Sequence, residues 1–406
     1  MNDLNKPRLR FGGFCENWNS FKLSEVSIKI KDGTHFSPET SKIGDFQYLT
    51  SKNVKNGYLD FGNLEYISRE AHQAIYKSCD VKFGDILLTK DGTIGQSCIN
   101  TLTYEFSLLS SVAFIRPKSS YNNYFIYQTL ISDIGKKEIK RAIAGQALKR
   151  VTLTKINDFT FNFPSLPEQQ KIASFLTAVD DKIQLLTKKK ELLTQYKKGV
   201  MQKLFNQEIR FKDDEGNDYP HWEEKSLGET GRIVGGGTPS SLNKFYWDGD
   251  IPWISSSDLT EDNIYEIKVS RLITNEAISH SATKIIPIGS VLVVSRVGVG
   301  KVAVNKEIIC TSQDFSTIIP YNDSNIFLAY LIKSNINRLL EFNQGTSIKG
   351  FSKSSLENLK VFIPCIIEQV KIADFLSSID SKIYLLNQQI IQSQIYKKGL
   401  LQQMFV

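Results

Sequence analysis

Few residues of this 406-residue chain have the type and spacing that catalysis needs. The run "VGVGK" at 297–301 has the outline of a phosphate-cradling loop. That loop requires glycine where Ser295 stands and serine or threonine where Val302 stands. "GRIVGGG" lacks the glycine spacing of a dinucleotide fingerprint, and there is no Asn/Asp-Pro-Pro-Tyr-like run of the kind that holds a base for amino methylation. His35, His72, His221 and His280 stand alone. Cys15, Cys79, Cys98, Cys310 and Cys365 are scattered, without a C-x-x-C pair. Neither metal-ligand spacing nor a disulfide framework is legible, and reduced thiols are the expectation. No serine or cysteine has a histidine at a telling distance in sequence, and no acidic-plus-lysine nuclease cluster stands out. The residues that remain are basic and polar, and their chemistry is recognition.

Net charge is +7, unevenly distributed. Residues 1–205 carry 30 Lys+Arg against 20 Asp+Glu, or +10; residues 206–406 carry 20 against 23, or −3. A basic balance points to an anionic partner such as nucleic acid, bound through local patches in the second half. Between 136 and 150 lie Lys136, Lys137, Lys140, Arg141, Lys149 and Arg150 with one acid. Such residues on a helix end and its following loop suit phosphate contacts, which position a protein on DNA without reading sequence. A solvated basic face is the other reading. Arg338, Lys349 and Lys353 are the matching phosphate candidates in the second half. Polar loops supply candidates for base edges: Thr34 and His35 in 31–42, Lys90 and Thr93 in 90–96, Thr238, Ser240 and Asn243 in 235–250, Ser295 and Arg296 in 295–301. Plain surface connection is the alternative for these loops.

The elements that must position these residues are announced by an internal repeat. "EQQKIASFLTAVDDKI" begins at Glu168 and "EQVKIADFLSSIDSKI" at Glu368; over 168–205 and 368–405, 18 of 38 positions are identical. Pro164/Pro364, Lys149/Lys349 and Gly145/Gly345 keep the same offset. Weaker echoes pair "NWNSFKLSEV" with "HWEEKSLGET", "DGTH" with "GGTP", and "GDILLTKDGTIG" with "GSVLVVSRVGVG". Each half therefore reads as a globular domain followed by a long helix. In the first helix Ile172, Leu176, Val179, Ile183, Leu186, Leu193, Val200 and Leu204 follow alternating four- and three-residue steps, interrupted at Lys190 and Lys197. In the second, Ile372, Leu376, Ile379, Ile383, Leu386, Ile390, Leu400 and Met404 do the same, interrupted at Ser393 and Lys397. This is a coiled-coil seam. Pro167 and Glu168 suit a first helical turn. A helix of this length, about 57 Å, has too little core of its own and needs a partner, for which the other copy is the natural choice. An antiparallel pair would set the globular domains at opposite ends about a pseudo-two-fold axis.

The globular parts show buried strands at Ile86–Thr89 and from Val291 to Ser295, each followed by a glycine-punctuated loop. Helices are expected from 122 ("NNYFIYQTLISDIGKKEIKRAIAG") and from 324 ("SNIFLAYLIKSNINRLLEF"), each leading through a loop to a last strand. The fold class is mixed α/β (α+β), with domains at 1–160 and 208–360 and long helices at 161–207 and 361–406. Composition, 41% hydrophobic and 23% charged, is that of a soluble globular chain with more than one core. No apolar run is long enough to span a bilayer and the first residues lack a signal-peptide core, so a cytoplasmic location without membrane contact is expected.

Two variable domains, each opened by "LRF…W…L" or "IRF…W…L" and closed by "P-x-x-EQ-x-KIA-x-FL-x-x-x-D-x-KI", resemble the specificity subunit of type I restriction–modification enzymes. The resemblance covers almost the whole chain. It implies two target recognition domains, each reading one half of a split site in double-stranded DNA. It also implies that the long helices set the gap and dock two modification (methyltransferase) subunits, joined in the full complex by restriction subunits that translocate on DNA and cut it. On this reading the chain is non-catalytic by itself and binds no cofactor or metal. S-adenosylmethionine, ATP and Mg2+ are expected in the partners. The second helix has "EQV" for "EQQ" and lacks the lysine-rich middle, so inequivalent docking faces are expected. A two-headed DNA-binding protein without enzyme partners is the competing reading.

Overall fold

The computed structural model describes residues 6–145, 149–261, 263–341 and 350–406. The chain divides into two compact units, residues 1–188 with 387–406, and residues 189–386. In the first unit a four-stranded antiparallel sheet has the order Ser27–Asp32, Val112–Pro117, Ile86–Thr89, Ser97–Ile99. All four residues of Ile86–Thr89 are buried, as a continuous apolar run between two neighbouring strands requires. A smaller sheet joins Phe46–Leu49 to Glu65–Ile67 and, in parallel, to Ser107–Leu108. Asn19–Lys22 pairs with Thr160–Phe163 and brings the start of the domain to its end.

The second unit repeats this plan although its sequence has diverged. Its sheet order is Gly231–Gly235, Phe315–Pro320, Val291–Val294, Val302–Val304, and Glu223–Ser226 pairs with Lys360–Ile363 as the closing ribbon. Its accessory sheet is larger, four strands in the order Arg271–Ile273, Ile251–Ile254, Ile309–Thr311, Ile285–Ile286.

Where a single helix was expected from 122, there are two, Asn123–Ile131 and Asp133–Ile143. Ser132 ends one and caps the next: its ψ of 171° leaves the helical region and its hydroxyl accepts from Gly135 N. The return is so tight that a Cβ on Gly135 would lie 2.1 Å from Leu130 O, so glycine is required there. The helix expected from 324 divides likewise into Asn325–Ser334 and Ile336–Glu341.

The two long helices run Leu166–Phe205 and Ile366–Met404. Each starts in the core of its own domain: Ile172, Ala173 and Leu176 in the first unit, Ile372, Ala373 and Leu376 in the second. Their ends are exchanged. Leu400, Met404 and Phe405 are buried in the first unit's core, and Leu204 in the second's. Of the remaining seam positions, Ile379, Leu386 and Ile390 are buried, while Val179, Ile183, Leu186, Leu193 and Ile383 are half-buried. Among the described residues no helix is long and apolar enough to cross a membrane.

Candidate nucleic-acid interface and helix seam

The opening and closing motifs of each half meet. Arg10 donates from Nε and Nη2 to the two oxygens of Glu168 at 2.7 and 2.8 Å. Arg210 grips Glu368 in the same way at 3.2 and 2.7 Å, and Trp222 Nε1 adds a third donor at 3.0 Å. The hydrogen bond to each carboxylate raises the arginine pKa above its ordinary value, so charge and geometry are both locked. The adjacent glutamines fasten the next element. Gln169 accepts from Asn122 N and donates to Pro164 O, while Gln369 accepts from Ser324 N and donates to Pro364 O. The edge-on ring pairs Phe11–Phe175 and Phe211–Phe375 both stand at 5.6 Å. The twin "RF" and "EQ…F" motifs are therefore two halves of one clasp, built once per unit.

Two of the lysines that interrupt the seam, Lys197 and Lys397, are not defects in it. Lys397 Nζ lies 2.6 Å from Asp180, whose other oxygen accepts from Gln128 Nε2 at 2.8 Å. Lys197 Nζ lies 2.5 Å from Asp380, whose other oxygen accepts from Tyr330 OH at 2.5 Å. Lys197 also sits over the Tyr330 ring, 4.8 Å from its centroid. Each unit thus holds one buried or half-buried Asp–Lys pair across its two helix segments. The segments are antiparallel: in the first unit Lys397 faces Asp180, whereas Gln403, bonded to Leu9, lies toward the Arg10–Glu168 clasp.

In the first unit three loops converge on Asp32. Thr34 N donates to Leu108 O, Val151 N donates to Lys90 O, and His35 Nε2 lies 3.3 Å from Asp32. Arg150 reaches Asp91 at 3.6 Å. A Cβ on Gly33 would stand 2.0 Å from Leu108 O, which explains the glycine of "DGTH". Lys90 is only 2% exposed, with its ammonium between Asp32 at 3.2 Å and Asp91 at 3.6 Å. It braces the loops from inside, because moving it to a base edge would take the buried ammonium away from both Asp32 and Asp91. Thr34 is buried too, whereas His35 and Thr93 are exposed.

The second unit assembles the corresponding loops. Thr238 donates to Gln313, and the buried Ser295 hydroxyl donates to Asp314 O, with Phe351 N bonded to Ser295 O. Ser295, like Lys90, is an internal brace. Thr238, Ser240 and Arg296 are exposed, and Asn243 is half-buried, its side chain accepting from Phe245 N.

The basic helix borders this region. Lys136, Lys137, Lys140 and Arg141 are all exposed on one face of Asp133–Ile143, while Ile139 and Ala142 are buried on the other. Ile139 packs against Gly95 of the 90–96 loop, as Ile336 packs against Gly300 in the second unit. Lys136 lies 3.8 Å from Asp133, and Arg141 is paired with Glu138. Lys149 is exposed, Arg338 donates to Asn335 and to Lys360 O, and Lys353 pairs with Glu357 at 3.2 Å. Lys349 lies outside the described residues.

A family model described as the type I restriction modification DNA specificity domain matches the chain twice, over residues 15–195 and 220–393. The chain belongs to that family. It is 35% identical over 184 residues to the type I restriction enzyme MjaIX specificity subunit of Methanocaldococcus jannaschii, a match spanning 44% of this chain and 43% of that relative. To the putative MjaX specificity subunit of the same organism it is 26% identical over 98% of this chain and 95% of the relative. To the EcoR124I/EcoR124II specificity subunit of Escherichia coli it is 29% identical over 64% of this chain and 62% of the relative. The fold resembles the crystal structure of a type I restriction-modification system S subunit from M. genitalium, with a TM-score of 0.61, 14% identity and 99% of both chains covered.

For this family member, the twin helices and the clasping motifs were legible as a repeat, but the pairings within them were not. The signal for the crossed ion pairs was present: Asp180 and Lys197 recur as Asp380 and Lys397 at one offset. Gln313, exposed beside Thr238, is a loop residue that sequence patterning did not single out.

Proposed function

We propose that this chain is the DNA sequence-specificity subunit of a type I restriction–modification complex. Each domain reads one half of a bipartite target, the two long helices set the number of unread base pairs between the halves, and the outer faces of those helices seat two modification subunits. The observation that carries this is the twofold occurrence, within one chain, of a loop-bearing domain clasped to a long helix. Two readers in one chain imply two half-sites, and two equivalent helix starts imply two equivalent seats. The chain is non-catalytic on this reading. S-adenosylmethionine serves the modification subunits, ATP and Mg2+ serve the restriction subunits, and the complex works in the cytoplasm.

Phosphate contacts are assigned to the exposed face of Asp133–Ile143 and to Lys149, Arg150, Arg338, Lys349 and Lys353. Base contacts are assigned to the exposed loop residues His35, Thr93, Thr238, Ser240 and Arg296 and to the half-buried Asn243. Neutralising Lys136, Lys137, Lys140 and Arg141 together should weaken duplex binding and flatten its salt dependence by up to about four contacts' worth, leaving sequence preference unchanged. An unaltered slope removes that face from the interface.

The deciding experiment maps methyladenine in cells expressing this chain with a type I modification subunit. Methylation confined to one motif with two halves at a fixed gap is the expected result, and exchanging residues 1–150 should alter one half only. Failure of the chain to co-purify with a modification subunit would return it to a two-headed DNA-binding protein.

A further inference from the structure

The three most exposed large apolar side chains among the described residues are Leu242 at 94%, Ile43 at 89% and Phe245 at 79%. All three lie in loops of one kind. The loop at 33–45 joins Ser27–Asp32 to Phe46–Leu49 in the first unit, and the loop at 236–250 joins Gly231–Gly235 to Ile251–Ile254 in the second. Single apolar residues scattered over a surface need no explanation. Their concentration in the two loops that also carry His35, Thr238, Ser240 and Asn243 does, because a Leu, Ile or Phe left in water forgoes burial that would stabilise the fold.

Both loops are braced behind these tips. In the second unit Gly236 and Gly237 pass so close to neighbouring backbone that a Cβ would stand 2.1 Å from Ser312 O and 2.3 Å from Ala282 C. Trp253 Nε1 donates to Gly237 O at 2.9 Å, and Trp247 Nε1 to Ser240 O at 3.1 Å. Tyr246 and Trp247 turn inward onto the small core of Trp253, Ile273, Ala277 and Cys310, and Thr274 N donates to Tyr246 O at 3.1 Å. Asn243 Oδ1 accepts from Phe245 N at 3.1 Å and caps the single turn Lys244–Trp247. That turn hides two aromatic rings and leaves Leu242 and Phe245 outside. In the first unit Ser41 and Tyr66 exchange both backbone hydrogen bonds at 3.0 Å, two residues before Ile43.

The immediate neighbours decide what such a tip meets. Lys42 precedes Ile43, Lys244 precedes Phe245, and both lysines are exposed. The apolar centre of a protein–protein interface is depleted of lysine. Apolar wedges that enter a duplex, by contrast, are accompanied by cations and amides that meet phosphates and base edges beside them. The run Leu242-Asn243-Lys244-Phe245 supplies all three kinds of group. We propose that Leu242 and Phe245 in the second unit, and Ile43 in the first, are wedges that part a base step in each half-site and kink the duplex there. This role is separate from the phosphate and base contacts assigned above, since these side chains carry neither charge nor hydrogen-bonding group. It rests on the DNA-reading function proposed there. A step that unstacks easily is favoured at the wedge, so target preference extends to a position read through deformability alone.

The test uses the full-length chain, with its modification subunit where the two co-purify, and the variants Leu242→Ser/Phe245→Ser and Ile43→Ser. Because the replaced side chains are exposed, the variants should melt with the parent. A short duplex carrying the mapped motif, labelled at both ends, reports bending by energy transfer and affinity by titration. The parent should bend it by about 20° or more, and each variant should straighten it in part and bind roughly ten-fold more weakly. The salt slope should stay the same, since an apolar wedge displaces no counterion. A duplex left straight by the parent, or bent and bound equally by parent and variants, overturns the proposal. A bend retained by variants whose affinity falls on thymine duplex, but not on the same duplex with deoxyuridine, overturns it in favour of methyl-group reading. Lost binding of the modification subunit with bending intact overturns it in favour of a protein contact. Absence of any motif preference in the parent sinks the DNA-specificity reading itself, which a motif-selective but unbent complex would leave standing.

Discussion

Lys197 and Asp380 form the more enclosed of the two crossed pairs, with side chains 10% and 7% exposed. Truncating one partner strands the other without water or a counter-charge. Lys197→Ala should therefore cost about 3 kcal/mol in chemical denaturation, whereas replacing both partners by apolar residues should recover most of the loss. Equal costs for the single and double replacements would show that the pair contributes packing alone. A pH effect belongs to another cluster. Burial pushes the Asp80 carboxyl up, but hydrogen bonds from Lys29 and Arg116 outweigh it and hold the group below the usual carboxylate range. A lowered carboxyl pKa stabilises the fold above the unfolded value of about 3.9, and the contribution disappears as pH falls through the folded value. Asp80→Asn should thus melt earlier than the parent near neutral pH, with the difference shrinking as pH falls below about 3.9. A constant difference across that range would contradict the ion-pair account. Neither cluster was legible as a pair beforehand, since Lys29, Asp80 and Arg116 come together only when three separate segments fold.

At the level of elements, the antiparallel segments are kept in register by Asp180–Lys397 and Asp380–Lys197 together. Inserting one heptad into the middle of the central helix alone shifts one member of a pair by about 10 Å and breaks it. Matched insertions in both long helices preserve both pairs. The matched variant should fold with near-parental stability and recognise a target whose gap is about three base pairs longer, as methylation mapping would reveal. The single insertion should lose several degrees of melting temperature. An unchanged gap in the matched variant would dissociate helix length from target spacing. The seam itself was readable from alternating four- and three-residue steps because burial on a helix follows its own periodicity. The break at Ser132 was not read, although Ser-Asp with a following glycine is a capping signature; the strongly apolar run before it and the basic run after it suggested one continuous helix.

For the whole molecule, the exchange of helix ends has a direct consequence. Leu400, Met404 and Phe405 belong to the core that contains Trp18, Phe125 and Phe163, and the Phe405 ring lies 5.3 Å from that of Phe125. Deleting residues 400–406 should therefore destabilise the unit containing the N-terminal domain, residues 1–160, although those residues are remote in sequence. Limited proteolysis should show early cleavage in 1–160 while 208–360 stays protected. Early cleavage confined to the second domain would contradict the exchange. The same arrangement means that the first domain's core is incomplete until the end of the second long helix has been made, whereas the second domain's core draws only on residues 189–386.

Sequence by itself determined that the chain is a duplicated reader-and-helix, because repeats and heptads are written in local order. It also carried the twin closing motifs by which the chain resembles its family. Tertiary structure decided which partners those residues take. Glu168 and Glu368 became clasps for Arg10 and Arg210, two seam lysines became crossed ion pairs, and Lys90 and Ser295 turned inward as braces. The physical reason is range. Periodicity reports which face of an element is buried, whereas a salt bridge or a buried hydrogen bond depends on which other element arrives there, and that choice is made only when segments more than a hundred residues apart pack together.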